Sequence, residues 1–343
     1  MSKTEVPEEV TNTAETAAPV SAMRSRVRPL FSIAGPFTAL VGLYAIFGAL
    51  APGFATVSNA MAIVEQASIP VVLAMGATLV VLVGGVDLSI EGVMAASGLT
   101  FVLLAANSVN GNDLGLVAVV LALGVGLFFG VINGVLHVLI RVPSFLVTLG
   151  TWFVGLGVAT VLFGTATPQL ADPSLAAWAG GHWLGLPVVV VFAFAAVVVT
   201  TLLCKGTRLG LHTYAIGGDE ATSRLAGVPV GRTKIFLFAI AGLLSGLGGV
   251  LATIRLGVGD VNVGSGSLFL TLSAVVVGGT LLSGGRGGPL HSLVGVLILV
   301  VLGNGLLLSG ASPYIQQGAQ GLIIVLAVIV TGWPVRRRLR VVK

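Results

Sequence analysis

Three acidic residues lie in otherwise apolar stretches of the sequence, and they are the first candidates for chemistry. Asp87 and Glu91 flank a predicted helix break, and Glu65 lies in an apolar run shortly before Pro70. An ionised side chain at the centre of a bilayer helix costs at least about 2.5 kcal/mol, so such residues usually face protein or a water path. We expect Asp87 to be a structural cap that accepts N–H groups of the next helix, with substrate contact as the alternative. Glu65 is a candidate for a translocation path or for a buried hydrogen bond.

Two asparagines in apolar runs belong to the same group of candidates. Asn133 and Asn304 are each followed by glycine. They either line a translocation path or join helices through hydrogen bonds, which are worth about 0.6 kcal/mol on average in membranes. The four histidines are scattered without metal-ligand spacing, so we expect no metal site, and no catalytic set is apparent.

The composition determines which elements must position these residues. Of the 343 residues, 56% are hydrophobic and only 8% are charged, and the mean hydropathy is +1.08. Soluble domains carry about a quarter charged residues, and disordered chains are more polar still. A membrane β-barrel would alternate polar and apolar residues, whereas the apolar runs here are unbroken. The sequence therefore predicts an all-α polytopic membrane protein. The single cysteine, Cys204, excludes an intramolecular disulfide.

Apolar runs of about 20 residues predict some ten transmembrane helices, some of them broken. The second, third and eighth are interrupted by Gly, Pro or acidic residues. Ten spans with a cytoplasmic N-terminus place sixteen of the seventeen basic residues inside, and only Arg255 outside, as the positive-inside rule requires. Both termini are thus predicted to be cytoplasmic. The candidate spans are 30–50, 59–83, 88–107, 114–139, 145–164, 186–204, 234–255, 267–283, 289–308 and 316–334.

The charged residues also divide the chain into regions. Residues 1–28 form a predicted disordered, cytoplasmic N-terminal tail, whose acidic start is unlike a cleavable signal peptide. Residues 29–335 form the transmembrane domain, and residues 336–343 form a basic cytoplasmic tail. Within the domain, 205–234 is the only long polar stretch between spans, and it is predicted to be cytoplasmic.

Small residues indicate how the spans pack. Ala122, Gly126, Gly130 and Gly134 recur every four residues in the fourth span, and Gly242 and Gly246 do so in the seventh. This spacing allows helix backbones to approach closely, so we predict a helix–helix seam.

Two stretches of the sequence resemble each other: VLVGGVDLS at 81–89 is similar to VVVGGTLLS at 275–283. Such similarity is typical of transporter repeats with broken helices, but chance similarity between Val/Gly-rich stretches explains it equally well.

The polar segment 205–234 contains a predicted short helix. Asp219 or Glu220 begins it, because acidic residues favour a helix N-terminus, and Gly227 ends it. A short helix across the cytoplasmic face is suited to receiving force from a partner protein. An ordinary solvated connector is the alternative.

Several motifs, in order, resemble the permeases of ribose/galactoside/autoinducer-type ABC importers. TRLGLHTYAIGGDEATSRLAGVPV (207–230) resembles their cytoplasmic coupling region, and GGVDLSIEGVMAASG (84–98) resembles their Gly-Gly-Ile-Asp-Leu-Ser signature. NGVLHVLIRVPSFLVTLGTWFVGLG (133–157) and the stretches 274–295 and 304–328 are similar to further segments of the family. The resemblance covers roughly 30–333. This chain departs from the family at Asp219, where asparagine is common, and at Thr222-Ser223.

The resemblance implies the permease subunit of a binding-protein-dependent importer of a monosaccharide, a pentose such as ribose or a similar sugar, in a bacterial cytoplasmic membrane. The implied partners are ABC ATPase subunits, an extracellular sugar-binding protein and a second permease copy or paralogue. ATP and Mg would be bound by the partner subunits, because this chain contains no Gly-Lys dipeptide and hence no phosphate loop. The residues implied to couple to the ATPase are Gly218, Asp219, Glu220, Ala221, Arg224 and Gly227.

The sequence also leaves other functions open. An ion-coupled secondary transporter would use intramembrane acids such as Glu65 and Asp87. A membrane enzyme is the remaining alternative, although no paired acid and base is apparent. The tetrapeptide Leu282-Ser283-Gly284-Gly285 is similar to the signature of ABC ATPases, but it is expected to lie in a tight turn between apolar runs and to bind no nucleotide.

Overall fold

The computed structural model describes residues 28–183, 185–312, 314–316, 318–319, 321–322 and 325, with side chains from residue 34 onward. The predicted tails, 1–28 and 336–343, lie outside the described residues except for Arg28. Most of the tenth predicted span, 316–334, lies outside them as well.

The described chain is mostly helical, with one small antiparallel hairpin. The hairpin pairs β1 (His182–Trp183) with β2 (Leu186–Pro187). The helices are α1 (Arg28–Leu50), α2 (Val57–Leu82), α3 (Ile90–Leu104), α4 (Leu116–Leu139), α5 (Ser144–Phe163), α6 (Pro173–Gly180), α7 (Val188–Gly206), α8 (Arg208–Gly218), α9 (Glu220–Leu225), α10 (Val230–Leu256), α11 (Ser267–Val277) and α12 (Pro289–Leu308).

In the part of the chain that the structure describes, six helices are long and apolar enough to cross a membrane: α2, α4, α5, α7, α10 and α12. The remainder of α1 from residue 34, α3 and α11 are shorter apolar helices. These nine helices correspond to nine of the ten predicted spans. Of the three interrupted spans, the third and eighth are short helices, whereas the second is a long helix, because α2 continues through Pro70. The number ten and the cytoplasmic placement of both ends stay predictions.

Two long helices, α2 and α10, form the centre of the bundle. Most of α2 from Ala67 onward is buried, and α10 is buried along most of its length. Phe54, Phe101 and Phe238 are among the largest fully buried side chains. By contrast, α4 and α5 expose apolar side chains on their outer faces, as helices in contact with lipid or other subunits do.

The predicted small-residue seam joins α4 to α10. A Cβ added to Gly126 would lie 2.4 Å from the carbonyl oxygen of Gly242, and one added to Gly130 would lie 2.3 Å from that of Phe238. The α10 glycines fit the same seam, since a Cβ on Gly242 would meet the Gly126 carbonyl oxygen at 2.3 Å. The two stripes of small residues seen in the sequence therefore pack against each other. Such close contact leaves no room for side chains and maximises dispersion contacts between backbones.

The two similar stretches of sequence end their helices in the same way. In α2, the Gly85 N–H donates to the Val80 carbonyl and the Gly84 N–H donates to that of Val81, and Gly84 has φ 75°. In α11, Thr280 and Gly279 donate to Val275 and Val276, and Gly279 has φ 99°. Both ends are Schellman caps, which need a residue with positive φ and therefore favour glycine.

The caps are one residue out of register with the sequence match, because the alignment pairs Gly85, not Gly84, with Gly279. The two ends nevertheless meet, since the Gly285 N–H donates to the Leu82 carbonyl at 2.9 Å. The stretch Leu282–Gly285 lies in the predicted turn, in which Gly284 donates to the carbonyl of Leu281.

Candidate translocation and coupling sites

The chain between α2 and α3 is extended rather than helical, and α5 supplies its hydrogen bonds. The Val86 N–H donates to Ser144 Oγ at 3.0 Å, and the Leu88 N–H donates to Thr148 Oγ1 at 2.9 Å. Val86 and Leu88 are two residues apart on the segment, and the two hydroxyls that bind them are one helical turn apart on α5. Irregular backbone at membrane depth is tolerated where protein satisfies it, and here α5 does so. The two motifs GGVDLS and PSFLVTLG therefore form one structure, the hydrogen-bonded break between α2 and α3.

A buried polar chain continues from this segment to α4 and α5. Asp87 Oδ1 accepts hydrogen bonds from the Ser89 N–H and hydroxyl, at 2.9 and 2.6 Å. The Asn133 amide donates to Ser89 Oγ at 2.9 Å and accepts from Thr151 Oγ1 at 2.7 Å. Asp87 and Asn133, predicted independently, are therefore brought into one network. Asp87 fixes the turn one residue before α3, and does not reach the N–H groups of the helix itself.

The other two path candidates lie elsewhere. Asn304 on α12 accepts a hydrogen bond at 3.0 Å from the side chain of Asn59, at the start of α2. Glu65 is half-buried on α2. Neither belongs to the polar chain of Asp87 and Asn133. Asn304 therefore joins α12 to α2, and its place on the translocation path stays a prediction.

Glu91 has a role that sequence reasoning missed. It is 9% exposed, and its Oε1 accepts the Leu268 N–H in the first turn of α11 at 3.0 Å. A carboxylate there satisfies an unpaired N–H group and interacts favourably with the helix dipole. Since 177 residues separate the two, only the acidic residue next to a helix break could have drawn attention to it. Glu91 thus links the start of α3 to the start of α11.

The short helix in the polar segment is present as α9. Asp219 is its N-cap, because its carboxylate accepts the Thr222 N–H at 3.1 Å and the Thr222 hydroxyl at 2.7 Å. The helix ends before Gly227, which has φ 78°. The hydrogen bonds from Thr222 lower the pKa of Asp219. The sequence prediction of both helix ends is confirmed.

Glu220 connects α9 to a transmembrane helix. Its two carboxylate oxygens pair with Lys234 on α10 at 2.7 Å and with Arg224 at 2.9 Å. The Lys234 hydrogen bond, together with both positive charges, holds the pKa of Glu220 below its ordinary value of 4.5 despite partial burial. These ion pairs are therefore intact at neutral pH, and are lost only when the pH falls through the lowered pKa of Glu220. A movement of α9 therefore acts on α10 through the Glu220–Lys234 pair.

A comparison with known families decides what kind of protein this is. A family model described as the permease component of the branched-chain amino acid transport system matches residues 59–328. The chain belongs to this permease family. No solved structure matches the chain. Permeases of this family are transport components of ABC importers, which work with ATPase and substrate-binding partners. The resemblance noted in the motifs is confirmed, and the permease is a multi-pass membrane protein.

Named relatives of the permease cover nearly all of its length. The ribose import permease protein of Escherichia coli is 36% identical over 297 residues, which are 85% of this chain and 91% of the relative. That of Bacillus subtilis is 36% identical over 298 residues, 86% of this chain and 91% of the relative. The D-allose transport system permease protein of Escherichia coli is 31% identical over 295 residues, 86% and 90% of the two chains.

The permease exposes an apolar side chain at the tip of α9, which sequence reasoning also missed. Leu225 is 90% exposed, next to the Glu220–Arg224 pair. Leu211 on α8 is 72% exposed. Scattered apolar residues on a surface need no explanation, but burial of this exposed leucine in an apolar pocket of a partner would stabilise a complex.

The hydroxyls of α5 in the permease are expected to be essential for stability. Thr148→Val keeps the shape of the side chain but leaves the part-buried Leu88 N–H without its acceptor on the fully buried Thr148. An unsatisfied buried donor costs about 1–3 kcal/mol, so we expect a clearly lower thermal unfolding midpoint of the purified permease. Thr160→Val on the same helix is the matched control, because Thr160 is exposed and bonds only within its own helix, to the Leu156 carbonyl. Equal midpoints for the two variants would contradict the proposed bonding of the extended segment.

Proposed function

We propose that this chain is the membrane-spanning permease subunit of an ABC importer for a monosaccharide, a pentose such as ribose or a similar sugar. Alternating access of the helix bundle carries the sugar, and ATP hydrolysis in partner subunits drives it. The observation that carries this proposal is the 36% identity to ribose import permease proteins over 85% of the chain. The family description names branched-chain amino acids instead, so amino acid import is the second candidate. The relatives named for ribose and allose favour the sugar.

The same proposal includes the arrangement in the membrane. Ten transmembrane helices place both termini in the cytoplasm of a bacterium, in its inner membrane. The permease works with ABC ATPase subunits, a sugar-binding protein on the outer side, and a second copy or a paralogue of itself. ATP and Mg are bound by the ATPase subunits, and this chain contributes no ATPase site. The distribution of basic residues supports this orientation.

We assign roles to the candidate residues on the same basis. The α9 region, with Gly218, Asp219, Glu220, Ala221, Arg224 and Gly227, is the contact with the ATPase. Asp87 stabilises the break before α3. The polar chain that contains Asn133 borders the translocation path, with Glu65 and Asn304 as further path residues. The capping and ion pairs of α9 support its role, because a helix held rigidly to α10 transmits force better than a flexible loop.

Breaking the ion pairs of Glu220 is expected to uncouple the transporter. In the double variant Glu220→Ala/Arg224→Ala, α9 loses its attachment to Lys234. The Glu220–Arg224 pair is exposed and stabilises by less than about 1 kcal/mol, whereas the Lys234 side chain is only 12% exposed, so the rates of ATP hydrolysis and sugar uptake are compared at equal recovery of folded permease. We expect ATP hydrolysis to continue while sugar uptake falls about tenfold, since coupling free energies between sites are typically about 1–3 kcal/mol. The assay compares both rates in proteoliposomes, with Arg232→Ala, an exposed neighbour on α10, as the control. Unchanged coupled uptake would refute the coupling role of α9.

Uptake in reconstituted vesicles tests the proposed function itself. The permease, its ATPase and its binding protein are placed in proteoliposomes, and uptake of radiolabelled D-ribose, D-allose and L-leucine is measured with and without ATP. We expect ATP-dependent uptake of a sugar and none of leucine. Leucine uptake would support the second candidate. Uptake by this chain alone, driven by a proton or sodium gradient, would instead indicate an ion-coupled transporter.

A further inference from the structure

Three backbone segments meet where α8 ends. A Cβ placed on Gly217 would lie 1.9 Å from the carbonyl oxygen of Leu82 and 2.3 Å from the amide nitrogen of Gly285. These two atoms are themselves hydrogen-bonded, at 2.9 Å. Gly217 therefore packs directly against the hydrogen bond between the Gly285 N–H and the Leu82 carbonyl. This bond joins the end of α2, where one non-helical segment begins, to the non-helical segment that follows α11. No side chain fits at this position without moving backbone. We call the contact of Gly217, Leu82 and Gly285 the glycine junction.

A side chain from α8 strengthens the same attachment. The hydroxyl of Tyr214, one turn before Gly217, donates to the carbonyl oxygen of Gly287 at 3.0 Å. The link between α8 and the 285–288 turn thus consists of one backbone contact and one hydrogen bond. In addition, α8 passes to α9 through a single residue, since Asp219 is the C-cap of one helix and the N-cap of the other. Because only this one residue separates the two helices, a displacement of α9 displaces α8 as well.

Both breaks continue into the membrane domain. After the first, the non-helical residues 85–89 lead along α5 to the polar chain of Asp87 and Asn133. After the second, the Thr280 hydroxyl accepts the Gly288 N–H at 3.1 Å at the start of α12. Ser292, one turn into α12, accepts a hydrogen bond from Thr78 on α2 at 2.6 Å. One contact on α8 consequently touches the chain leading to α3 and the chain leading to α12.

We propose that the glycine junction carries the movement of the coupling helix α9 to both broken segments together, with Gly217 and Tyr214 as positioning residues for coupled transport. The inference rests on the proposed function, since it requires an ATPase that moves α9. The Glu220–Lys234 pair forms a second, separate attachment to α10. The junction differs from it because it reaches the two helix breaks, each of which is closed by its own cap.

Two variants test the junction by different means. Gly217→Ala forces apart the backbones of Leu82 and Gly285, whereas Tyr214→Phe removes only one hydroxyl group and introduces no bulk. Gly206→Ala is the control, because Gly206 ends α7, is none of the residues assigned to the ATPase contact, and has nothing within 4 Å of an added Cβ. The assembled complexes are reconstituted, and the number of ATP molecules hydrolysed per D-ribose imported is measured.

We expect this ratio to rise about tenfold in Gly217→Ala and severalfold in Tyr214→Phe, and to stay at the wild-type value in Gly206→Ala. A variant that merely folds poorly loses uptake and hydrolysis together, so its ratio does not change. An unchanged ratio in both variants would overturn the inference. If Gly217→Ala fails to assemble, the ratio in Tyr214→Phe decides alone. Wild-type complex without ATP-dependent uptake of either D-ribose or D-allose would instead contradict the proposed function, on which the inference depends.

Discussion

Gly130→Leu is expected to prevent stable folding of the permease. Gly130 faces α10, where even a Cβ would lie 2.3 Å from the Phe238 carbonyl oxygen. A leucine there must push α4 and α10 apart along the whole seam, because backbone atoms, not flexible side-chain ends, are in the way. Overpacking commonly costs about 1–3 kcal/mol, and obstruction by backbone places this variant at or above the upper end. The measurement is the unfolding midpoint in detergent and the amount of monodisperse permease recovered.

Gly124→Leu is the matched control for the seam. Gly124 lies on the same helix, is exposed, and has nothing within 4 Å of an added Cβ. Since both variants change glycine to leucine in a lipid-spanning helix, they share any effect on insertion or helix propensity. We expect Gly124→Leu to be recovered like the wild type. A similar loss in both variants would mean that the α4–α10 seam is not what makes glycine necessary.

The substitution Leu225→Asp is expected to prevent the ATPase from binding to the permease. Burying a leucine side chain contributes about 1.5–3 kcal/mol, and replacing it by a charge adds the cost of desolvating the carboxylate. Together, these two free-energy terms raise the dissociation constant of the complex between permease and ATPase more than about tenfold. The fold of the permease itself does not depend on Leu225, which is 90% exposed. Co-purification of the tagged permease with its ATPase, at equal permease recovery, measures the effect.

The control for this surface is Leu225→Met, which keeps an apolar side chain of similar size at the tip of α9. It should retain the ATPase, whereas Leu225→Asp should not. Normal co-purification of Leu225→Asp would show that the ATPase binds elsewhere on the cytoplasmic side, and would remove the main physical argument for α9 as the contact. Loss in both variants would indicate shape rather than polarity as the determinant.

Features with a local cause could be predicted from the sequence. The α9 helix has an acidic N-cap at Asp219 and a stop at Gly227 within nine residues, so the pattern is complete in one short stretch. The seam could be recognised because Gly126 and Gly130 repeat at helical spacing. In each case the physical signal lies within one element. The agreement of the span boundaries has the same origin, since hydropathy is a property of contiguous residues.

Features that depend on distant pairing could not be predicted. The extended segment at Val86 is bound by Ser144, 58 residues further on, and Glu91 by the backbone of Leu268. Nothing in the sequence near Asp87 indicates which partner satisfies the broken backbone. The similarity of 81–89 to 275–283 left a repeat and chance equally open, and the one-residue difference between the two caps cannot be seen in an alignment. The glycine junction itself involves three separate stretches.

The short lengths of α3 and α11 have a consequence for synthesis of the protein. With 15 and 11 residues they span only about 22 and 16 Å, less than a bilayer core of about 30 Å. When the ribosome has made α3, the hydroxyls of α5 that bind residues 86 and 88 do not yet exist. The nascent segment must therefore remain in the protein channel that inserts it, or beside other helices, until residue 148 emerges. Release of α3 into lipid before that point would leave the N–H groups of residues 86 and 88 without their acceptors on α5.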